Sequence, residues 1–305
     1  MTDALLPEII AIGETMALVT PALAEPLERA VDFHLDAGGA ESNVASHLAA
    51  LRRRAAWAGR VGDDALGRRL VAQLASRGVD TRFVERDPDA PTGLYVKDPG
   101  NGVQYFRVGS AASRMSPAFA ERLPLEGARV VHLSGITAAL SSSCDAMLDA
   151  MIERVAATPA LLSFDVNHRA ALWRSAEAAA ARLRALAAAA DLAFVGLDEA
   201  ARLWGTTTAS DVRAFLPEPA RLIVKDGDVG ATEFARGVDG IDAVEHVAAH
   251  PVDVVEAVGA GDAFAAGYLA ALLDDRDAAG RLRAGHDRAV LVLGETSDFP
   301  RDPRR

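Results

Sequence analysis

Short apolar runs recur along the chain at residues 9–13, 55–61, 130–133, 161–165, 192–195 and 222–225. None alternates with polar residues as a strand with one wet face would, so the pattern predicts strands buried on both sides. Between them lie stretches rich in alanine, leucine and arginine with helical spacing, at 40–53, 66–76, 145–156 and 176–190. Strand and helix alternate, which is the pattern of an α/β fold doubly wound around a parallel sheet.

Two stretches break this rhythm. Residues 15–36 and 92–107 show period-two patterning, and the second folds back at Asp98-Pro99-Gly100-Asn101-Gly102 between LYV and VQYF. They read as a small antiparallel flap built from about residues 14–38 and 92–108; periodicity alone leaves open the alternative that these strands extend the main sheet. Beyond Gly259 the pattern is helical to about Asp275 and again over 278–293, and the polar tail 299–305 is expected to fray.

Composition narrows the classes. Half of the 305 residues are hydrophobic and a quarter are charged, ordinary globular usage, and no apolar run reaches the roughly 18 residues of a spanning helix. With 43 acidic against 32 basic residues the net charge is -11, which repels phosphate backbones and anionic surfaces, so neither nucleic acid nor membrane is an expected partner. The single cysteine, Cys144, allows no internal disulfide and no multi-thiolate site. Asp3 and Glu8 stand where a signal peptide would carry basic residues, and Pro7 interrupts the apolar stretch, so the expected location is cytoplasmic. Lys97 and Lys225 are each followed by aspartate, which rules out a Walker-type phosphate loop.

The segment VVEAVGAGDAF, residues 254–264, runs from an apolar strand-like stretch through a glycine turn into a helix. Backbone N–H groups at Gly259, Ala260 and Gly261 would sit at the helix start, where the dipole favours an anion by about 0.3–1 kcal/mol. Asp262, one position on, would be suited to accept a proton from a hydroxyl that attacks a phosphate. Alone, the same residues could simply shape a turn with Asp262 capping the helix, and Phe264 stands where a dinucleotide fingerprint needs its third glycine. The motif has company, however. Gly38-Gly39-Ala40-Glu41-Ser42-Asn43 opens an early helix with paired glycines, and Arg60-Val61-Gly62-Asp63-Asp64-Ala65-Leu66-Gly67 follows one strand later.

Together these three segments resemble the signatures of the ribokinase-like, phosphofructokinase-B group of carbohydrate kinases, in the same order and over nearly the whole chain. The resemblance implies one kinase domain over residues 1–305, with a three-layer α/β/α core and a small β-sheet lid. It also implies ATP and Mg²⁺ as cofactors, Asp262 as catalytic base, and Gly259, Ala260 and Gly261 as the cradle of the transferred phosphoryl group. Gly38 and Gly39 would let backbone approach the sugar and Asn43 would bond a hydroxyl, although Asn43 could equally stabilise the first helical turn. Lys225, Gly227 and Gly230, in IVKDGDVG, would lie beside ATP, although by themselves the two glycines fit an ordinary hairpin turn.

Two further segments, YFRVGSAAS at 105–113 and DVNHRAALW at 165–173, resemble the 2-keto-3-deoxygluconate kinases of that group. Arg107 and Arg169 offer forked donors suited to a carboxylate, and Tyr105 offers a hydroxyl on an apolar plate. Outside such motifs, arginines in so arginine-rich a chain would be read as partners of surface acids. The resemblance adds Tyr95 as a substrate contact. Two departures stand out: where the family carries Asp-Thr before its glycine turn, at a monovalent-cation site in some members, this chain has Glu256-Ala257. Its Asn-x-x-Glu motif appears as Gly196-Leu197-Asp198-Glu199, so only Glu199 is carried over, as a water-mediated contact of Mg²⁺.

The expected activity is phosphorylation of the primary hydroxyl of 2-keto-3-deoxygluconate. The alternatives are a kinase of another sugar (fructose, ribose, a nucleoside or the galacto epimer) and a non-catalytic sugar or nucleotide sensor. Pairing of two copies through the lid is also expected.

Overall fold

The computed structural model describes residues 6–23, 25–254, 257–294 and 299. The strands in chain order begin with β1 (Ile9–Ile12), β2 (Met16–Pro21), β3 (Phe33–Gly38), β4 (Ala55–Gly62) and β5 (Val84–Asp87). They continue with β6 (Leu94–Asp98), β7 (Gly102–Phe106), β8 (Val130–Ser134) and β9 (Leu161–Asp165). The last four are β10 (Leu192–Gly196), β11 (Arg221–Asp226), β12 (Gly230–Arg236) and β13 (Asp242–Ala248).

Nine of these form one sheet in the order β13-β12-β11-β10-β9-β8-β1-β4-β5. Every pairing from β11 to β5 is parallel, and only the β11–β12 and β12–β13 pairs are antiparallel. Because side chains alternate across a strand, each central strand feeds two cores. Ile10 and Ile12 of β1 pack on one side with Met147, Met151, Leu183 and Val212 from the helices Ser142–Ala156, Ala176–Ala188 and Ala209–Phe215. Ile9 and Ala11 pack on the other with Val44, Leu48, Leu70, Tyr268 and Leu282 from the helices Ala40–Ala50, Ala65–Ser76, Ala260–Leu273 and Ala278–Leu293. This is the ribokinase-like three-layer α/β arrangement expected, with a second, small sheet beside it.

The small sheet has the order β3-β2-β6-β7 and is separate from the main one, which decides between the two placements that periodicity left open. It is not wholly antiparallel: β2 and β6 run parallel, with Leu18 opposite Tyr95. The chain between them passes through two helices and two core strands, and a parallel pair needs such a long crossover. The β6–β7 hairpin turns where the sequence predicts, with Asp98 opposite Gly102.

Of the strands that apolar runs do not mark, β5 and β13 lie at the sheet edges, where solvent reaches one face and the continuous apolar signal is lost, and β12 lies next to β13 with Thr232 and Glu233 breaking its apolar run. The helix expected to reach Arg53 ends at Ala50, because Arg52 adopts a left-handed conformation (φ 61°) that no helix continues. The apolar stretch before Gly259 is not a strand among the described residues, and Val254 is 60% exposed. Among the described residues no helix is long and apolar enough to cross a membrane.

Candidate active site

Since β1, β8, β9, β10 and β11 are parallel, their carboxyl ends open on one side, the usual position of a ligand site in such a sheet. A cavity of about 1220 Å³ lies there, between this edge, the start of the helix Ala260–Leu273 and the small sheet. All the residues singled out from the sequence line it. Gly38, Gly39, Asn43, Tyr95, Tyr105 and Arg107 stand toward the small sheet, and Gly259, Ala260, Gly261 and Asp262 at the helix start. Lys225, Gly227, Gly230, Arg169 and Glu199 complete the wall.

Asp262 lies in the first turn of its helix, whose N-cap, Gly259, has φ 88°, a conformation glycine adopts without strain. Two amides meet its carboxylate: Asn43 Nδ2 donates to Oδ2 at 2.9 Å and Asn167 Nδ2 donates to Oδ1 at 3.4 Å. Asn43 is thus a partner of Asp262 as well as a residue of the cavity wall. Asn167 has φ 38°, uncommon for a residue with a side chain, and its N–H donates to Asp165 Oδ1 at 3.2 Å. The Ala260 N–H donates back to Ala257 O at 3.3 Å, so in this conformation it belongs to the turn and is not offered to a ligand as the sequence reading expects.

Gly39 is fixed by close approach: a Cβ there would lie 2.2 Å from the Glu14 carbonyl oxygen. That contact brings the first turn of the helix Ala40–Ala50, and with it Asn43, against the end of β1. Across the cavity, Lys225 Nζ makes an ion pair with Asp165 at 2.8 Å and sits 5.9 Å from the Phe194 ring centroid. Burial works against the Lys225 charge, but the carboxylates of Asp165, Glu199 and Asp262 outweigh it and hold its pKa above the ordinary value. Gly227 and Gly230 shape the β11–β12 hairpin and also line the wall, so the turn and the ligand-side readings coincide.

Glu199 accepts the N–H groups of His168 at 2.8 Å and Gly196 at 3.1 Å, joining the loop after β9 to the start of the helix Leu197–Trp204. Burial, and then the neighbouring Asp165 charge, raise its pKa. Among the described residues no group of three or more acidic, histidine or cysteine side chains forms a metal site. Glu256 lies outside the described residues.

On the small sheet Tyr95 and Tyr105 are direct cross-strand partners, and their rings stack at 5.7 Å. Arg107 is buried and paired with Glu14, whereas Arg169 is exposed at the rim and donates to the His168 carbonyl. The opposite end of the cavity has an apolar wall that includes Val252, Phe264, Ala289 and Leu293, with His286 edge-on to Phe264.

Glu14, Asp165, Asn167 and His286 are site residues that the sequence reading did not single out. The first three end or closely follow buried strands, at the carboxyl edge where a parallel sheet places its ligands, and that position, with the DVNHRAALW segment for Asp165 and Asn167, was the available signal. His286 lies inside a helix and carries no such mark.

Residues 6–301 match the family model described as pfkB family carbohydrate kinase. A 2-dehydro-3-deoxygluconokinase of Bacillus subtilis is 31% identical over 306 residues, covering 98% of this chain and 93% of that protein. Fructokinase-1 of Oryza sativa is 32% identical over 275 residues, covering 88% and 83%. Among solved structures, a PfkB protein from Polaromonas sp. JS666 superposes with a TM-score of 0.84 at 34% identity, over 93% of this chain and 95% of that one.

Proposed function

Because the chain belongs to the pfkB family of carbohydrate kinases, we propose that it transfers the γ-phosphoryl group of ATP to the primary hydroxyl of 2-keto-3-deoxygluconate, the acid sugar also called 2-dehydro-3-deoxygluconate. The observation that carries this reading is the placement of Asp262, oriented by Asn43 at the start of a helix, in one cavity with Arg107 and Arg169. Asp262 takes the proton of the attacking hydroxyl, a contribution of about 10²- to 10⁴-fold in rate. The backbone at Gly259 and Gly261, with the helix dipole, stabilises charge on the phosphoryl group. Lys225 and the β11–β12 hairpin line the nucleotide side, and the apolar wall near Phe264 accepts the flat base.

Glu199 is the residue of this wall that would hold a magnesium ion carried by ATP, and such an ion would supply neutralisation of phosphate charge. Such an ion needs only one or two protein carboxylates besides the phosphates, and Glu199 at the wall would face its water shell. The small sheet acts as a lid over residues 14–38 and 92–108 that keeps water from the reacting phosphate. Its Phe33, Tyr105 and Phe106 are exposed, which suits pairing of two copies through the lid, and the cytoplasm supplies the ATP.

A neutral ketohexose such as fructose is the second reading. It is favoured by the ion pair that already compensates Arg107. An ADP-release assay with MgATP and equal concentrations of 2-keto-3-deoxygluconate, its galacto epimer, fructose and ribose tests the choice. Turnover confined to the keto-deoxy acids supports the proposal, turnover on fructose instead replaces it with the second reading, and turnover on ribose alone contradicts both.

A further inference from the structure

Glu14 follows β1 at the point where the core gives way to the small sheet, and it is 2% exposed at the cavity wall. Two groups from beyond β7 hold its carboxylate: the Arg107 guanidinium through Nη2, and Ser110 Oγ, which donates at 3.2 Å. Arg107 is itself 8% exposed, and its buried Nε has no hydrogen-bond partner. The site therefore presents a buried cation that is already neutralised but keeps one unused donor.

A substrate carboxylate reaching Arg107 meets that neutralising acid first. Two carboxylates around one buried guanidinium repel, and such a pair relieves the repulsion when one of them takes a proton. The other titratable groups facing Glu14 are Glu41 on the helix Ala40–Ala50 and Cys144 on the helix Ser142–Ala156, and neither supplies a positive charge. Arg107 is the cation that acts on Glu14.

We infer that Glu14 and Arg107 form an exchangeable pair: a carboxylate substrate takes Arg107 over from Glu14, and Glu14 takes up a proton from solvent as it loses its cation. Glu14 is in this sense a specificity-determining residue, because an acid sugar binds together with a proton and a neutral sugar binds without one. Burial already pushes the Glu14 carboxyl above the ordinary carboxylate range against the restraint of Arg107 and Ser110, so loss of Arg107 moves it further in the same direction. The consequence is an affinity for acid sugars that falls as pH rises, while affinity for neutral sugars stays level. This inference rests on the acid-sugar reading above.

Titration calorimetry of the full chain at neutral pH, with 2-keto-3-deoxygluconate and with fructose in two buffers of different ionisation enthalpy, tests it. The expected result is a buffer-dependent heat that reports net proton uptake as the acid sugar binds. Fructose is expected to give none, and Glu14→Gln to abolish the uptake with the acid. Equal heats in the two buffers with the wild-type chain would overturn the exchange while leaving the acid-sugar reading intact. Uptake that persists in Glu14→Gln would overturn it by moving the proton elsewhere, with Glu41 a neighbouring acid that could take it. Binding of fructose without binding of the acid would overturn both the exchange and the reading it rests on.

Discussion

The side chain of Asn43 donates to Asp262 Oδ2 at 2.9 Å across 219 residues of sequence, tying together the first turns of two helices that each begin at a cavity-lining glycine. The contact fixes the carboxylate on the elements whose glycines Gly39, Gly259 and Gly261 also line the cavity. A hydrogen bond to a charged group is worth about 1.5–3 kcal/mol. Asn43→Ala is therefore expected to lower kcat by roughly 10- to 100-fold in an ADP-release assay. Asn43→Asp should be worse still, since it sets a second carboxylate against the first. If Asn43 served the sugar alone with no hold on Asp262, KM would rise and kcat would stay level.

Arg107→Ala separates the two substrate readings and reports on the buried pair. KM for 2-keto-3-deoxygluconate should rise by about two orders of magnitude while KM for fructose changes little, because only the acid needs the guanidinium. The same change leaves Glu14 buried without its cation, at a cost of about 3–5 kcal/mol in urea unfolding. Adding Glu14→Gln should return part of that stability, a coupling that distant sites would not show.

Glu41 makes stability depend on pH. It is fully buried, accepts Ser134 Oγ at 2.7 Å and Thr137 Oγ1 at 3.1 Å, and keeps an unpartnered Oε2. Burial, opposed by those hydroxyls, lifts its pKa from 4.5 to about 7. Below the lower value both folded and unfolded chains carry the proton. Between the two values the folded chain keeps a proton that the unfolded chain has released, so stability falls as pH rises, and above about 7 the full cost is reached. That cost is about 3 kcal/mol. Comparing urea unfolding at mildly acidic and mildly alkaline pH, Glu41→Gln should remove a loss of that size that the wild-type chain shows; parallel losses in both would remove Glu41 from the account.

The central strands and the helices between them were legible because a parallel sheet covered on both sides writes uninterrupted apolar runs, as in Ile9–Ile12 and Leu192–Gly196. The hairpin at Asp98–Gly102 was legible from its turn residues. The β2–β6 pairing was not, because its partners are set by a crossover through the core and not by any local pattern. In the site, the glycine turns announce backbone that must approach something, and every candidate they led to lines one cavity. What stayed hidden was mutual: that Asn43 and Asn167 both hold Asp262, and that Arg107 is paired with Glu14. Side chains that meet only after the chain has folded leave no spacing by which to find each other.

The most direct test of the account replaces the base. Asp262→Asn keeps the side-chain volume and changes the acceptor, so turnover of MgATP with the preferred sugar should fall by about 10²- to 10⁴-fold while sugar affinity stays within a few fold. Turnover close to that of the wild-type chain would contradict the role of Asp262 as the proton acceptor and, with it, the reading of the cavity as a phosphoryl-transfer site organised around the Asn43–Asp262 contact.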